Sequence, residues 1–175
     1  RSPGSTLKPF IYALALERGA LTPDSVLLDS PAASGTTNAD RGFLGSMLPR
    51  QALANSRNLP AVRVLSRVGL DTTYWMLNRL GLHDAGRRPD HYGLGMALGA
   101  LPTSLERLVG AYVALANDGI ASPLRWFEHE PRARQRVLSQ SSSRLITQFL
   151  SDSQARLPTF QRMGNTDMPG AVALK

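Results

Sequence analysis

The 175-residue chain contains no cysteine, which excludes disulfide bonds, thiolate nucleophiles and zinc–thiolate sites. It also lacks an apolar run of the roughly 18 residues that a membrane-spanning helix needs, and its start does not have the pattern of a signal peptide. We therefore expect any attachment to a membrane to lie outside these residues. At this length, one domain with its own buried core is expected.

Lysine is nearly absent, because the chain has 18 arginines and only two lysines, Lys8 and Lys175. Arginine stays charged in proteins, whereas a desolvated lysine can become a neutral amine and accept a proton. Codon bias explains the scarcity equally well while the two positions are considered alone. The positions themselves, at the two candidate motifs below, favour a chemical role.

The net charge of +7 and the pI of about 10.7 favour anionic partners. The arginines are scattered, however, and no aromatic residues interleave with the densest cluster, Arg132, Arg134 and Arg136. We therefore predict a solvated basic surface and no nucleic-acid partner. The three histidines, at positions 83, 91 and 129, lack metal-binding spacing. No metal and no cofactor are predicted.

Apolar periodicity predicts a mainly helical chain. The first helix follows Ser5, with Pro9 in its first turn, and ends at Gly19. The region from 22 to 46 is predicted to be a long irregular connection. Further helices are predicted at 49–56, at 60–69, after an N-cap at Asp71, after a Thr103/Glu106 capping box, and at 142–150. Strands are predicted only at 124–127 and 172–174.

Ser5 and Lys8 form the motif S-x-x-K at the start of the first helix. Three residues of helix advance about 4.5 Å and return to nearly the same face, so the hydroxyl and the amine become neighbours. A serine hydroxyl needs a base to take its proton, and lysine can serve once burial lowers its pKa. The alternative is that Ser5 caps the helix and Lys8 is solvated.

Ser56 and Asn58 form S-x-N, 51 residues after Ser5, in a predicted break between two helices. A hydroxyl and an amide at such a turn can relay a proton and hold a substrate amide. Serine and asparagine are also common turn residues, which is the simpler interpretation of this triplet alone. Lys175 follows the apolar residues 172–174 and gains meaning only from the resemblance that follows.

Four segments resemble the transpeptidase domain of class A penicillin-binding proteins, most closely its 1C-type branch. They are the PGSTLKPF run at 3–10, the ALANSRNLPAV run at 52–62, the glycine-containing stretch from 92 to 106, and the ALANDG run at 114–119. The first two carry the S-x-x-K and S-x-N motifs of that family, whose third motif is K-T-G. Because they occur in order, the segments together are far more specific than each motif alone.

The resemblance implies an α+β, β-lactamase/transpeptidase-like fold, mainly helical here because most of the antiparallel sheet would lie outside this chain. Residues 1–175 would form one partial domain, cut at the nucleophile motif and at the lysine of K-T-G. Ser5 would be the acylated nucleophile, Lys8 its base, Ser56 and Asn58 the proton relay and substrate holders, and Lys175 the lysine of K-T-G. The Thr and Gly that follow this lysine in the family are absent, and with them one backbone donor of the oxyanion hole.

The implied function is a peptidoglycan D,D-transpeptidase of the periplasmic face of the bacterial inner membrane. Its partners would be stem peptides ending in D-Ala-D-Ala and β-lactam antibiotics. An upstream glycosyltransferase domain and a membrane anchor are expected in the parent protein. Two alternatives stay open: a D,D-carboxypeptidase or β-lactamase on the same scaffold, and a non-catalytic binding domain.

Overall fold

The computed structural model describes residues 1–32, 35–130, 133–160 and 172–175, which contain seven α-helices and four short strands. The helices are α1 (Lys8–Glu17), α2 (Pro49–Ala54), α3 (Asn58–Val68), α4 (Leu70–Arg79), α5 (Pro89–Tyr92), α6 (Leu105–Ala116) and α7 (Gln140–Ser151). The strands are β1 (Leu27–Asp29), β2 (Gly45–Met47), β3 (Ile120–Ala121) and β4 (Gln135–Arg136). Two 3₁₀ segments, Gly4–Leu7 and Gly93–Leu98, precede α1 and follow α5.

Helix α1 is the centre of the fold and packs against α2, α3, α4 and α7. It is buried continuously from Lys8 to Ala15, because apolar residues occupy all sides of it rather than one stripe. Complete burial of side chains such as Phe10 and Ile11 contributes about 1.5–3 kcal/mol each. The helix that follows the S-x-x-K motif is therefore enclosed by other helices.

The strands form two separate antiparallel pairs, β1 with β2 and β3 with β4. In the first pair Leu27 lies opposite Met47 and Asp29 lies opposite Gly45. This pair lies within the region predicted to be an irregular connection, and residues 30–32 and 35–44, the described part of the segment between the two strands, contain no helix or strand. Among the described residues, none of the helices combines the length and the apolar character that crossing a membrane requires.

Most predicted helices form, but several boundaries were wrong. The helix predicted at 49–56 ends at Ala54, and the next begins at Asn58, so that Pro60 lies in its first turn. Asp71 is not an N-cap: it lies in the first turn of α4, where its negative charge suits the helix N-terminus. The Thr103/Glu106 capping box is also wrong.

Ser104 caps α6 instead, because its side chain accepts a hydrogen bond of 3.2 Å from the Arg107 N–H. Helix α7 starts at Gln140, two residues before its predicted start, and Ser139 caps it in the same way. In both cases the serine directly before the helix satisfies an otherwise unpaired backbone donor.

Both predicted strands were wrong. Residues 124–127 form an exposed loop in which Trp126 is 74% exposed. Residues 172–174 carry no strand pairing, and the Leu174 N–H instead donates to the Leu150 carbonyl at 3.1 Å, near the end of α7. Apolar residues form a strand only where a neighbouring strand completes the ladder, and in the described chain neither segment has one.

Candidate active site

Lys8 is completely buried at the start of α1. Its Nζ donates two hydrogen bonds of 2.6 Å, one to the Ser56 carbonyl oxygen and one to Asn58 Oδ1. Burial, and after it the positive charge of Arg57, lower the pKa of Lys8 from 10.5 to about 7. At neutral pH, Lys8 is therefore a neutral amine, able to accept a proton, in a substantial fraction of the molecules.

Ser5 lies in the 3₁₀ segment that runs directly into α1, and the Lys8 backbone N–H donates to its carbonyl oxygen. The two residues of the S-x-x-K motif are thus one helical turn apart, as their spacing predicts. The Ser5 side chain is partly exposed, and its hydroxyl has no hydrogen-bond partner in the described part of the chain. It is free to meet a ligand.

Ser56 lies between α2 and α3 in a left-handed backbone conformation, with φ of 57°. This conformation costs a residue other than glycine about 1–2 kcal/mol. It lets the chain turn so that the Ser56 carbonyl oxygen and the Asn58 side chain reach the same Nζ. The contact with Lys8 is made by the carbonyl of Ser56, and the hydroxyl makes no hydrogen bond with a described residue.

Arg57, the middle residue of S-x-N, was missed by the sequence analysis. Its side chain is 2% exposed, and each of its three guanidinium nitrogen atoms donates a hydrogen bond. Nε donates to Asp29 Oδ2 at 2.8 Å, Nη1 to Asp40 Oδ2 at 2.7 Å, and Nη2 to the Gly42 carbonyl at 2.5 Å. The bond from Arg57 lowers the pKa of Asp40. No local signal predicts this cluster, since its partners lie far upstream.

Asn58 is held by the same loop between β1 and β2. Its N–H donates to Asn38 Oδ1 at 2.7 Å, and its Nδ2 donates to the Thr37 carbonyl at 2.7 Å. Asn38 in turn donates to Asp29 Oδ1 and to the Gly42 carbonyl, both at 2.8 Å. With Nδ2 fixed by Thr37, the amide oxygen of Asn58 faces Lys8.

Lys175 reaches the same region from the other end of the chain. Its Nζ donates to the Leu53 carbonyl at 2.7 Å, near the end of α2. Burial, and after it the charge of Lys8, hold the pKa of Lys175 well below its usual value. Repulsion between the two amines favours states in which at least one of them is neutral. Both lysines of the chain thus adjoin the junction between α2 and α3.

The turn that carries Ser5 packs against Gly99. A Cβ atom at Gly99 would lie 2.3 Å from the Gly4 nitrogen, and the residue has φ of 92°. Ser2 Oγ donates to the Gly99 carbonyl at 2.8 Å, and the Tyr112 hydroxyl of α6 donates to the Thr6 carbonyl at 3.0 Å. The glycine-containing stretch from 92 to 106 therefore supports the Ser5 turn by close backbone packing.

The described residues contain no group of three or more His, Asp or Glu side chains able to hold a metal ion. The His83 ring lies between two backbone carbonyls, those of Tyr74 and Asp84. In the predicted basic cluster, Arg132 lies outside the described residues, and Arg136 donates to the Asp118 carbonyl at 2.7 Å.

Comparison with known proteins gives consistent results. The family model of the penicillin binding protein transpeptidase domain matches residues 1–159. Penicillin-binding protein 1C of Escherichia coli K12 is 37% identical over 164 residues, which are 90% of this chain and 21% of that protein. Penicillin-binding protein 1A of Rickettsia bellii is 35% identical over 128 residues, covering 68% and 16%. The chain thus spans about a fifth of the length of these relatives.

Solved structures show the same fold. The transpeptidase domain of penicillin-binding protein 3 from Burkholderia pseudomallei superposes with a TM-score of 0.73 at 23% identity, covering 86% of this chain and 52% of that one. Penicillin-binding protein 3 of Mycobacterium tuberculosis, solved in complex with aztreonam, gives 0.74 at 25% identity, covering 86% and 41%. The predicted α+β, β-lactamase/transpeptidase-like fold is confirmed, as is its mainly helical character here. The chain belongs to the penicillin-binding protein transpeptidase domain family.

Proposed function

We propose that the chain carries the acyl-transfer centre of a peptidoglycan D,D-transpeptidase, with Ser5 as the nucleophile and Lys8 as its base. The observation that carries the proposal is the buried amine of Lys8, with a pKa lowered to about 7, one turn after a serine hydroxyl that has no partner among the described residues. In the parent protein the centre would act at the periplasmic face of the bacterial inner membrane.

The hydrogen bonds of Lys8 suit it to act as a base. A neutral amine has two N–H donors and one lone pair. The Ser56 carbonyl and Asn58 Oδ1 occupy two donors, which leaves the lone pair for a third direction. With Ser5 one turn before Lys8, that lone pair is available to receive the serine proton.

The proposed reaction proceeds through an ester. Ser5 Oγ attacks the carbonyl carbon of the penultimate D-alanine of a stem peptide, and its proton passes to Lys8. The C–N bond to the terminal D-alanine breaks, and the leaving amine takes the proton from Lys8. An acceptor amine then attacks the ester carbonyl and forms a new amide, the C–O bond to Ser5 breaks, and the proton of the amine passes through Lys8 to Ser5 Oγ. A β-lactam would form the same ester by opening its ring amide.

Lys175 is proposed to bind the carboxylate of the substrate or of the β-lactam. Burial, and after it the charge of Lys8, lower the pKa of Lys175 and so disfavour its charged form in the free protein. An arriving carboxylate favours the ammonium form, and the resulting charge-assisted hydrogen bond would orient the ligand. Ser56 and Asn58 are proposed to hold the peptide and to complete the proton relay.

A hydrolase on the same scaffold would need a base that activates water for deacylation. In the described part of the chain, the carboxylates of Asp29 and Asp40 adjoin the S-x-N junction, and both are bonded to Arg57. Because neither carboxylate is free to activate water, a transpeptidase is favoured over a β-lactamase. We therefore expect bound penicillin to be released slowly.

The acylation rate is expected to rise with pH and to be half-maximal near pH 7. Below that value Lys8 is protonated and cannot accept the Ser5 proton, because its pKa is lowered to about 7. The measurement is the second-order rate of acylation by a penicillin between pH 5 and pH 9 at constant ionic strength. A rate independent of pH over this range would contradict the assignment of Lys8 as the base.

The direct test is labelling with a fluorescent penicillin followed by peptide mass spectrometry. It is applied to this chain and to a chain extended past Lys175. We expect the label on Ser5 of the extended chain, where the second oxyanion donor is supplied, and its loss after treatment with unlabelled penicillin. The peptide also contains Ser2, which serves as an internal control. Label on another residue, or no label on the extended chain, would refute the proposed function.

A further inference from the structure

The geometry points to Arg57 as a positioning residue for Lys8: its buried guanidinium fastens the loop between β1 and β2 to the α2–α3 junction and so fixes the two oxygens that receive Lys8 Nζ. This inference rests on the proposed acyl-transfer role of Ser5 and Lys8 and adds a residue to it. No direct contact with substrate is required of Arg57.

The guanidinium joins three parts of the fold. Asp29 belongs to β1, Asp40 and Gly42 belong to the loop, and Arg57 itself precedes α3. A charge this deeply buried is tolerated only when its donors are satisfied, because removal from water costs several kcal/mol. Each of its three nitrogen atoms has a partner here, so the loop and the junction are held in one arrangement.

The loop that Arg57 holds is the loop that orients Asn58. The Gly42 carbonyl accepts from both Arg57 and Asn38. Asn38 accepts from the Asn58 N–H, and Asn58 accepts from Lys8. A continuous path of hydrogen bonds thus runs from the guanidinium to the amine. On the other side, the carbonyl that precedes Arg57 is the second acceptor of Lys8.

Both the shape and the charge of Arg57 matter. Its planar fork satisfies three acceptors in fixed directions, whereas a lysine presents a single point charge. Its positive charge also favours the neutral form of Lys8. Lys175 is a second charged group near this amine, because Lys8 contributes to the lowered pKa of Lys175, and the Asp29 carboxylate accepts hydrogen bonds from Arg57 and Asn38. Shape and charge can therefore be separated by substitution.

The experiment compares four variants of the full-length protein: Arg57→Met, Arg57→Lys, Asp40→Ala and Arg63→Met. The readout is the rate of acylation of Ser5 by a fluorescent penicillin as a function of pH. For Arg57→Met we expect the acylation rate to fall roughly 100-fold, because Lys8 is no longer held in position. We also expect the half-maximal pH to shift to a higher value, because Lys8 loses a neighbouring positive charge. For Arg57→Lys we expect a rate loss with the half-maximal pH largely retained.

Asp40→Ala tests the positioning role where folding is less at risk, because the Asp40 side chain is 45% exposed. Removing it breaks one hydrogen bond of the guanidinium, and we expect the acylation rate to fall roughly 10-fold. Arg63→Met is the matched control: Arg63 lies on α3, the helix that Arg57 precedes, and also bonds to the β1 region, at the Leu28 carbonyl and Ser30 Oγ, but not to the S-x-N junction. It should acylate at the unchanged rate.

The inference is overturned if folded Asp40→Ala acylates like the unchanged protein. It is equally overturned if Arg57→Met keeps the rate and the half-maximal pH, or if Arg57→Lys and Arg57→Met shift that pH equally. Failure of the proposed function has a different signature, because the unchanged protein would then fail to label at Ser5. Circular dichroism spectra are recorded for each variant, so that a variant that does not fold is recognised.

Discussion

Replacing Lys8 with methionine is expected to slow acylation of Ser5 by a penicillin about 10³-fold. Methionine fills a similar buried space but has no lone pair on nitrogen, so the serine proton has no acceptor. Two acceptors also lose their donor, the Ser56 carbonyl and Asn58 Oδ1. The measurement is the second-order rate of labelling by a fluorescent penicillin, in a chain that includes the residues after Lys175.

Lys8→Arg is the informative companion of this variant. Arginine keeps the positive charge and can donate to both oxygens, but it does not deprotonate in a protein. We expect it to be as slow as Lys8→Met and to lose the rise in rate near pH 7. Activity close to that of the unchanged protein would mean that the charge of Lys8, rather than its basicity, is what matters. Circular dichroism establishes that each variant is folded.

Replacing Gly99 with alanine is expected to displace the turn that carries Ser5. The added Cβ would lie 2.3 Å from the nitrogen and 2.5 Å from the Cα of Gly4, and backbone atoms cannot rotate away as a flexible side chain can. The positive φ of Gly99 adds strain. We expect a loss of about 3 kcal/mol in the free energy of unfolding, and roughly 100-fold slower acylation from the misplaced nucleophile.

Gly110→Ala is the matched control, because Gly110 lies inside α6 and a Cβ there meets nothing within 4 Å. Alanine is the better helix former by about 1 kcal/mol, so this variant should be as stable as the unchanged protein or more stable. Thermal unfolding and labelling are measured for both variants. Unchanged labelling of Gly99→Ala would show that the Ser5 turn does not depend on its packing against Gly99.

The fold could be predicted from the sequence where the signal is local. The presence of helix α1 and the start of α2 at Pro49 follow from periodicity and from proline, and both are confirmed. Helix caps were harder, because several polar residues near each start compete and tertiary packing decides among them. The predicted strands failed for a related reason: strand formation depends on a partner elsewhere in the chain, which a single segment does not reveal.

The same distinction applies to the candidate site: features set by local spacing could be predicted from the sequence, and features set by distant partners could not. The i, i+3 spacing of Ser5 and Lys8 correctly predicted one helical turn between them. The catalytic roles of all five predicted residues stay predictions. The cluster around Arg57 could not be predicted, because its carboxylate partners lie 17 and 28 residues upstream and nothing in their spacing marks them. Arg57 is one of 18 arginines, and nothing in the sequence distinguishes it from the others.

The enclosure of α1 by four helices links folding to the release of protons. In the unfolded chain Lys8 is an ordinary lysine with a pKa of 10.5, whereas in the folded domain burial lowers this pKa to about 7. Between these values the unfolded chain binds more protons than the folded one, so folding releases them, and this contribution to stability grows as the pH rises from about 7 towards 10.5. Below pH 7 the folded domain bears the full cost of burying a charged amine. The packing that buries Lys8 thus also makes its contribution to the stability of the domain smaller below pH 7 than in alkaline solution.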